Sequence, residues 1–388
     1  MKTNIFRLKD ILINYDYLRK PLSSIERENF QGEYPYYGAQ GIIDYVKDYL
    51  CDGTYMLIAE DGENLSSRKA PIVNIATGKF WVNNHAHIVK INENANFRYI
   101  YYLLNYSDIN GYVTGSAQPK LSQGNLNKIK IELPDISIQQ KIANILSRYD
   151  EAIENNNKRI KLLEQMAQNL YKEWFVRFRF PGWENCEFEN GIPVGWNVER
   201  IGELYHTTSG GTPSRNHEEY YQEGTYPWIK TGELKDCPII DTEEYITEDA
   251  IKHSSAKVFE KDSLIIAMYG ATIGQLGINK MSATCNQACC VLRSKENRAF
   301  GIYYLFNFFK GNRDFIIGLG NGAAQQNLSQ ILINKIKILN PPKEVLEPFE
   351  KMQSVFFEKI YFLQRANKNL AKQRDLLLPR LMSGKLEV

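Results

Sequence analysis

Apolar positions along this chain fall into two regimes. After Leu133-Pro134-Asp135, apolar residues recur at Ile138, Ile142, Ile145, Tyr149, Ile153, Ile160, Leu163, Leu170 and Trp174. Steps of three, four and seven predict one long helix with a seam of coiled-coil type, stopped by Pro181-Gly182. A second stripe follows Asn340-Pro341-Pro342 and runs through Val345, Phe349, Met352, Phe356, Ile360, Leu363, Leu370, Leu377 and Leu381. Each helix should span ~40 residues, or ~60 Å at 1.5 Å per residue. Ile142, Tyr149, Leu163 and Leu170 on the first, with Phe349, Phe356, Leu363 and Leu370 on the second, are the expected inter-helix packing positions. Asn155, Asn156, Asn157 and Asn367 interrupt the seams. They either fix the register between two helices or mark a solvated face.

Before each helix the pattern is shorter and mixed. Val73–Ala76 and Leu264–Met268 read as buried strands, Ser209-Gly-Gly-Thr-Pro213 as a turn, and Tyr99–Tyr106 as an aromatic-rich helix. The mixed regions and the helices are repeated. Residues 119–134 (PKLSQGNLNKIKIELP) and 326–341 (QNLSQILINKIKILNP) match at nine of sixteen positions, at an offset of 207. Phe97–Leu104 resembles Phe300–Phe306, Asn84-His-Ala86 parallels Asn286-Gln-Ala288, and Tyr34-Pro-Tyr36 parallels Tyr226-Pro-Trp228. The expected fold is therefore α+β, a tandem duplication. Mixed α/β domains at residues 1–136 and 181–342 alternate with long helices at 137–180 and 343–388.

Composition narrows the class. The chain has 388 residues, 43 % of them hydrophobic and 24 % charged, which suits a folded protein of two or three domains. No apolar run reaches the roughly 18 residues of a membrane helix, and the first ten residues lack a signal-peptide core, so a cytoplasmic protein is expected. The net charge of +2 offers no global attraction to nucleic acid. Residues 1–135 net 0, 136–180 net +3, 181–342 net −4 and 343–388 net +3. The cluster Cys285, Cys289 and Cys290 lacks zinc spacing and reads as buried reduced thiols, and no metal is expected. His85 and His87, two apart, should share one face of a strand in a structural role.

Catalytic motifs are missing. Neither Gly270–Gly274 nor Gly318–Gly322 leads into Lys-Ser/Thr, and no G-x-S-x-G or H-E-x-x-H occurs. Asn340-Pro-Pro342 resembles an adenine-methyltransferase motif, but Lys343 stands where an aromatic residue must stack on the extruded base. A helix-starting turn explains that segment. What remains are polar loops suited to phosphates and base edges. The candidate DNA-binding residues are Tyr36, Tyr37, Gln40, Lys79, Ser116, Gln118 and Lys120 in the first repeat. In the second they are Ser209, Gly210, Gly211, Thr212, Arg215, Lys230, Thr231, Asn321, Gln325 and Gln326.

Six segments carry a family resemblance. They are Tyr34–Tyr45, Lys79–His87, Trp174–Gly182, Ile192–Trp196, Ser209–Pro213 and Leu378–Lys385. Through them the chain resembles the specificity (S) subunit of type I restriction–modification enzymes, over nearly its whole length. The resemblance implies two target-recognition domains joined by conserved helices that pack antiparallel, with an approximate internal twofold. It implies binding of double-stranded DNA at a split, asymmetric target. It also implies partnership with two methyltransferase (M) subunits, which use S-adenosylmethionine on adenine N6, and with motor-nuclease (R) subunits, which use ATP and Mg. No catalytic residue and no cofactor transfers to this chain. Asn84-His-Ala-His87 is answered by Asn286-Gln-Ala-Cys289, so unlike half-sites are expected. The alternative is a coiled-coil scaffold that reads no DNA.

Overall fold

The computed structural model describes residues 2–115, 118–295, 301–320 and 327–388. These form two compact units, one of residues 1–152 with 369–388 and one of residues 153–368. No helix among the described residues is long and apolar enough to cross a membrane.

In unit 1, β1 (Thr3–Arg7) pairs antiparallel with β8 (Lys130–Pro134). Between them lie β2 (Leu12–Asn14), β3 (Gln31–Gly38), β4 (Gly41–Val46), β5 (Cys51–Ala59), β6 (Val73–Val82) and β7 (Ala86–Ile91). These six form one sheet in the order β2-β7-β5-β6-β3-β4. Neighbours are antiparallel except β3 and β6, which run parallel with Tyr36 beside Trp81. Successive side chains of β5 point to opposite faces. Met56 and Ile58 enter one core with α1 (Phe97–Tyr106), α2 (Gln123–Lys128) and the start of α3 (Ile136–Tyr171). Tyr55 and Leu57 enter a second core with Phe80, Val82 and Ile88. Burial on both faces accounts for the unbroken apolar run Tyr55–Ala59.

Unit 2 repeats the plan. β9 (Asn197–Arg200) pairs with β18 (Lys337–Asn340) as β1 does with β8. The intervening strands are β10 (Tyr205–Ser209), β11 (Tyr226–Ile229), β12 (Cys237–Ile239), β13 (Tyr245–Ile246), β14 (Leu264–Ala267), β15 (Leu276–Asn279), β16 (Thr284–Cys285) and β17 (Cys289–Ser294). A sheet β10-β17-β14-β15-β12 lies with a smaller one, β13-β11-β16. The single strand β6 of unit 1 thus corresponds to two strands here, β15 and β16. The helices of unit 2 include α4 (Ile302–Gly311), α5 (Gln330–Lys335) and α6 (Lys343–Met382). The 207-residue offset holds at atomic detail. Ser122 Oγ caps α2 by accepting from Asn125 N, and Ser329 Oγ caps α5 by accepting from Leu332 N. Likewise Leu121 N donates to Glu60 O, and Leu328 N to Met268 O.

Each unit contains part of both long helices, paired antiparallel within it. In unit 1, Asp150 meets Arg374 at 2.6 Å and Lys141 meets the Val388 carbonyl at 3.3 Å. In unit 2, Asn156 Nδ2 donates to Asn367 Oδ1 and Asn367 Nδ2 to Asn157 Oδ1, both at 2.8 Å, while Gln353 Nε2 donates to Ala167 O. Asn156, Asn157 and Asn367 therefore link one helix to the other, which suits the register reading over the solvated one.

Several expectations about the seam need correction. Ile142 and Phe349 are fully buried, each against the other long helix as well as a globular core: Ile142 clusters with Leu381 of α6, and Phe349 meets Tyr171 of α3 at 6.4 Å. Ile142 joins Tyr99 and Leu381, and Phe349 packs on Phe175 at 4.7 Å and on Tyr304. Leu170 and Phe356 edge the same core as Phe349, and Tyr149, Leu163, Leu363 and Leu370 are half-buried. Met352 is exposed, whereas its neighbour Gln353 is wholly buried. A heptad read from sequence drifts by ~20° per repeat on a real 3.6-residue helix. α3 also stops at Tyr171, where a π-helical turn over Lys172–Val176 sets Trp174 and Phe175 into the aromatic core.

Cys285, Cys289 and Cys290 are buried and unbridged, and burial pushes the Cys290 thiol up to about 12.

Candidate nucleic-acid interface

The candidate residues sort into three kinds. Some are structural. Tyr36 is 1 % exposed, inside a core with Val46 and Trp81, and its hydroxyl accepts from Leu22 N at 2.9 Å. Tyr37 is half-buried edge-on to Phe80. Tyr36 is sealed in and is corrected to a core residue, whereas Tyr37 keeps part of its side chain exposed. On β3 they sit beside Trp81 and Val82 of β6 and point to opposite faces of the sheet.

Gly210 and Gly211 are corrected as well. They do not make a turn with positive φ. They run between two other backbone segments, and a Cβ on Gly211 would lie 2.2 Å from Ser255 O. Gly211 N donates to Cys285 O, and its own carbonyl accepts from Trp228 Nε1 at 3.0 Å. Gly211→Ala should lower the stability of unit 2 by about 1–3 kcal/mol through overpacking. A melting curve unchanged by the substitution would refute that packing role.

A second group is exposed and gathered. In unit 1 the two-residue connection Ala39-Gln40 joins β3 to β4, and Gly41 takes φ +115° to close it. The Gln40 amide lies beside Gly62. Gly62 N donates to Pro119 O, Lys120 Nζ reaches Glu60 at 3.3 Å, and His85 Nδ1 meets Asp61 at 2.8 Å. Gln40, Lys120 and His85 thus share one cluster of loops, with Gln118 exposed in the same segment as Lys120. Lys79 is placed elsewhere, over the Tyr49 ring at 4.4 Å. In unit 2, Ser209 Oγ is tied to Gln330 Oε1, and Thr212 Oγ1 accepts from Gln287 N. Arg215 and Lys230 converge on Glu244, at 2.7 and 2.9 Å, and Thr231 opens the turn Thr231–Glu233 that follows Lys230. Lys230 also pairs with Glu243 at 3.1 Å, so it does not stand ready for a phosphate. Burial tends to raise the Glu244 carboxyl, but Lys230 and Arg215 beside it hold it below the usual range.

The third group, Ser116, Asn321, Gln325 and Gln326, lies outside the described residues.

His85 and His87 do not share a strand face. His85 sits in the turn before β7, whereas His87, on β7, is buried with its ring nitrogens against Asp16 and Leu121 O. Sheet register also moves the repeat alignment by one. Asn83 N donates to Tyr37 O and Asn286 N to Ile229 O, so Asn286 matches Asn83 rather than Asn84. By the same register His87 corresponds to Cys290, and Glu60 to Met268.

One feature was not visible in the residues alone. Arg215 lies over the rings of Tyr221 and Trp228, at 4.1 and 5.1 Å, while paired with Glu244. In unit 1, Arg27 lies over Tyr36 at 5.4 Å while paired with Asp44 at 2.8 Å. The carboxylate and the aromatic residue face each other across β3–β4 in one unit and β11–β13 in the other. The repeat Tyr34-Pro-Tyr36/Tyr226-Pro-Trp228 marks the aromatic position, but the arginines have no shared sequence context.

The profile of the family described as "Type I restriction modification DNA specificity domain" matches residues 2–165 and 193–371. The chain belongs to this family. It is 28 % identical over 387 residues to the type I restriction enzyme MjaIX specificity subunit of Methanocaldococcus jannaschii, covering 93 % of this chain and 89 % of that one. A putative type I restriction enzyme specificity subunit of Haemophilus influenzae is 28 % identical over 376 residues, covering 93 % and 91 %. Among solved structures, the type I restriction–modification S subunit from M. genitalium superposes with a TM-score of 0.63 at 16 % identity, covering 98 % of this chain and 96 % of that one. The specificity-domain family thus accounts for both units, and the α+β fold with its two long helices is shared with that S subunit.

Proposed function

We propose that this chain is the DNA-specificity subunit of a type I restriction–modification complex and has no catalysis of its own. Residues 1–136 and 181–342 are its two target-recognition domains, each reading one half of a bipartite, asymmetric site. The residues 137–180 and 343–388 are the connecting helices. Two methyltransferase subunits supply S-adenosylmethionine chemistry on adenine N6, and motor-nuclease subunits supply ATP- and Mg-dependent cutting. The observation that carries this reading is one sheet plan built twice, split and extended by an edge strand in unit 2, with dissimilar polar loops. A duplicated scaffold with divergent loops suits two separate readings of sequence. Exposed Leu162 and Met166 on α3, with Met352, Val355 and Phe362 on α6, support protein partners along the helices.

Mapping N6-methyladenine in cells with and without this gene tests the reading. A bipartite methylated motif should vanish on deletion. Exchange of residues 1–136 for another recognition domain should rewrite one half of the motif and spare the other. A methylation pattern indifferent to deletion would refute the function, and both halves changing together would refute independent reading.

A further inference from the structure

We propose that Arg215 reads a guanine edge and that Glu244 is the positioning residue that keeps it from acting as a phosphate contact. The inference rests on the DNA-specificity reading and assigns a chemistry to one residue of it. A guanidinium has five N–H donors in a planar fork. The ion pair to Glu244 uses Nη2, while the guanidinium lies against the rings of Tyr221 and Trp228. The side chain remains 55 % exposed, and among the described residues no other protein partner is shown for its Nε and Nη1 donors. Bidentate donation to guanine O6 and N7 needs that preorganisation.

Charge separates base from phosphate here. Arg215 and Lys230 stand with Glu243 and Glu244 in one cluster, two cations against two anions. A phosphate approaching it meets two carboxylates and little net attraction. A neutral base edge needs only directed donors, which the cluster keeps. The corresponding group in unit 1 sharpens the assignment. Arg27 spends Nε on Asp44 and Nη1 on the Leu22 carbonyl, and its side chain is 22 % exposed. The same aromatic, arginine and carboxylate are built into both units, but in unit 2 the fork is left open.

The test uses the full chain in complex with its methyltransferase partners. Methylation maps are read alongside duplex-binding titrations between 50 and 200 mM salt. R215A should cost roughly 10- to 100-fold in cognate affinity. One guanine of one half-site should become degenerate, with the salt dependence unchanged. R215K, which keeps the charge but loses the fork, should relax the same position. E244Q should raise affinity for unrelated DNA and steepen the log–log salt slope by about one, as for a gained phosphate contact. If R215A instead flattens the slope by about one and spares every base of the motif, Arg215 is a phosphate ligand and the proposal fails. It also fails if R215A and E244Q lower only the melting temperature. A wild-type complex that methylates no bipartite motif would overturn the functional reading together with this inference. An intact wild-type motif unmoved by R215A and R215K overturns the inference alone.

Discussion

Asp16→Ala is expected to cost unit 1 about 1–3 kcal/mol, the range for leaving buried hydrogen-bonding groups without a partner. His87 is 1 % exposed, with Nδ1 on Asp16 Oδ2 at 2.7 Å and Nε2 on the Leu121 carbonyl at 2.9 Å. Asp16 Oδ1 also accepts from Ile88 N, and Arg19 reaches both Asp16 and Glu60. Alanine would strand a buried ring nitrogen and a strand amide at once. Asp16→Asn keeps an acceptor for Ile88 and should cost less. The pH dependence follows from the carboxyls. Burial acts to raise Asp16, but hydrogen bonds from His87, Asn14 and Ile88 outweigh it and hold the group below its ordinary value. Glu60 is lowered in the same way, with burial opposed by Arg19, His87 and Lys120. Lowered acids contribute stability that is present above their unfolded values, about 4, and is lost as pH falls through the folded ones. Protection of the β5 and β7 amides, relative to the intrinsic exchange rate at each pH, should therefore fall below about pH 4 in the wild type. In Asp16→Ala it should already be reduced at pH 7, and wild-type protection there would count against the network.

Glu350→Gln should have the opposite pH signature, and in unit 2. Glu350 Oε1 and Oε2 accept from the backbone N–H groups of Tyr304 and Tyr303, so a side chain of α6 caps the start of α4. Gly301 makes room for it, since a Cβ there would lie 1.6 Å from the carboxyl carbon. Burial pushes the carboxyl up to about 7, against the pull of those N–H bonds. For an acid raised on folding, the favourable contribution is complete below the unfolded value, about 4.3, and is lost as pH rises through about 7. The glutamine variant removes the charge and keeps one of the two acceptors, its NH2 facing the other backbone N–H. Its stability relative to the wild type should rise by up to ~3 kcal/mol between pH 4 and pH 8.5, at 1.36 kcal/mol per pKa unit. Urea titrations at the two pH values decide the matter. Parallel pH profiles for the two proteins would discard it.

The sequence by itself determined the duplication, the two long helices and the strands Val73–Ala76 and Leu264–Met268. Those features rest on local periodicity and on identity between repeats, and both can be read without knowing which residues meet. Ser122 and Ser329 show how far this reaches, since each caps its helix in the repeated segment. Family membership was legible from short contiguous motifs, such as Tyr34–Tyr45 and Leu378–Lys385, which need no knowledge of which residues meet. Only the tertiary structure decided which loop residues are free to meet a ligand. Tyr36 and Gly211 look like ligand-facing loop residues in sequence, yet one is sealed beside Trp81 and the other threads between backbones. Arg215 and Glu244 are 29 residues apart, and Arg27 and Asp44 are 17 apart, so no window of periodicity joins them. The one-residue shift that pairs Asn286 with Asn83 was likewise fixed by sheet hydrogen bonds. Helical periodicity is written every three to four residues along the chain. Burial, charge pairing and strand register arise between segments distant in sequence, where only the packed fold brings the partners together.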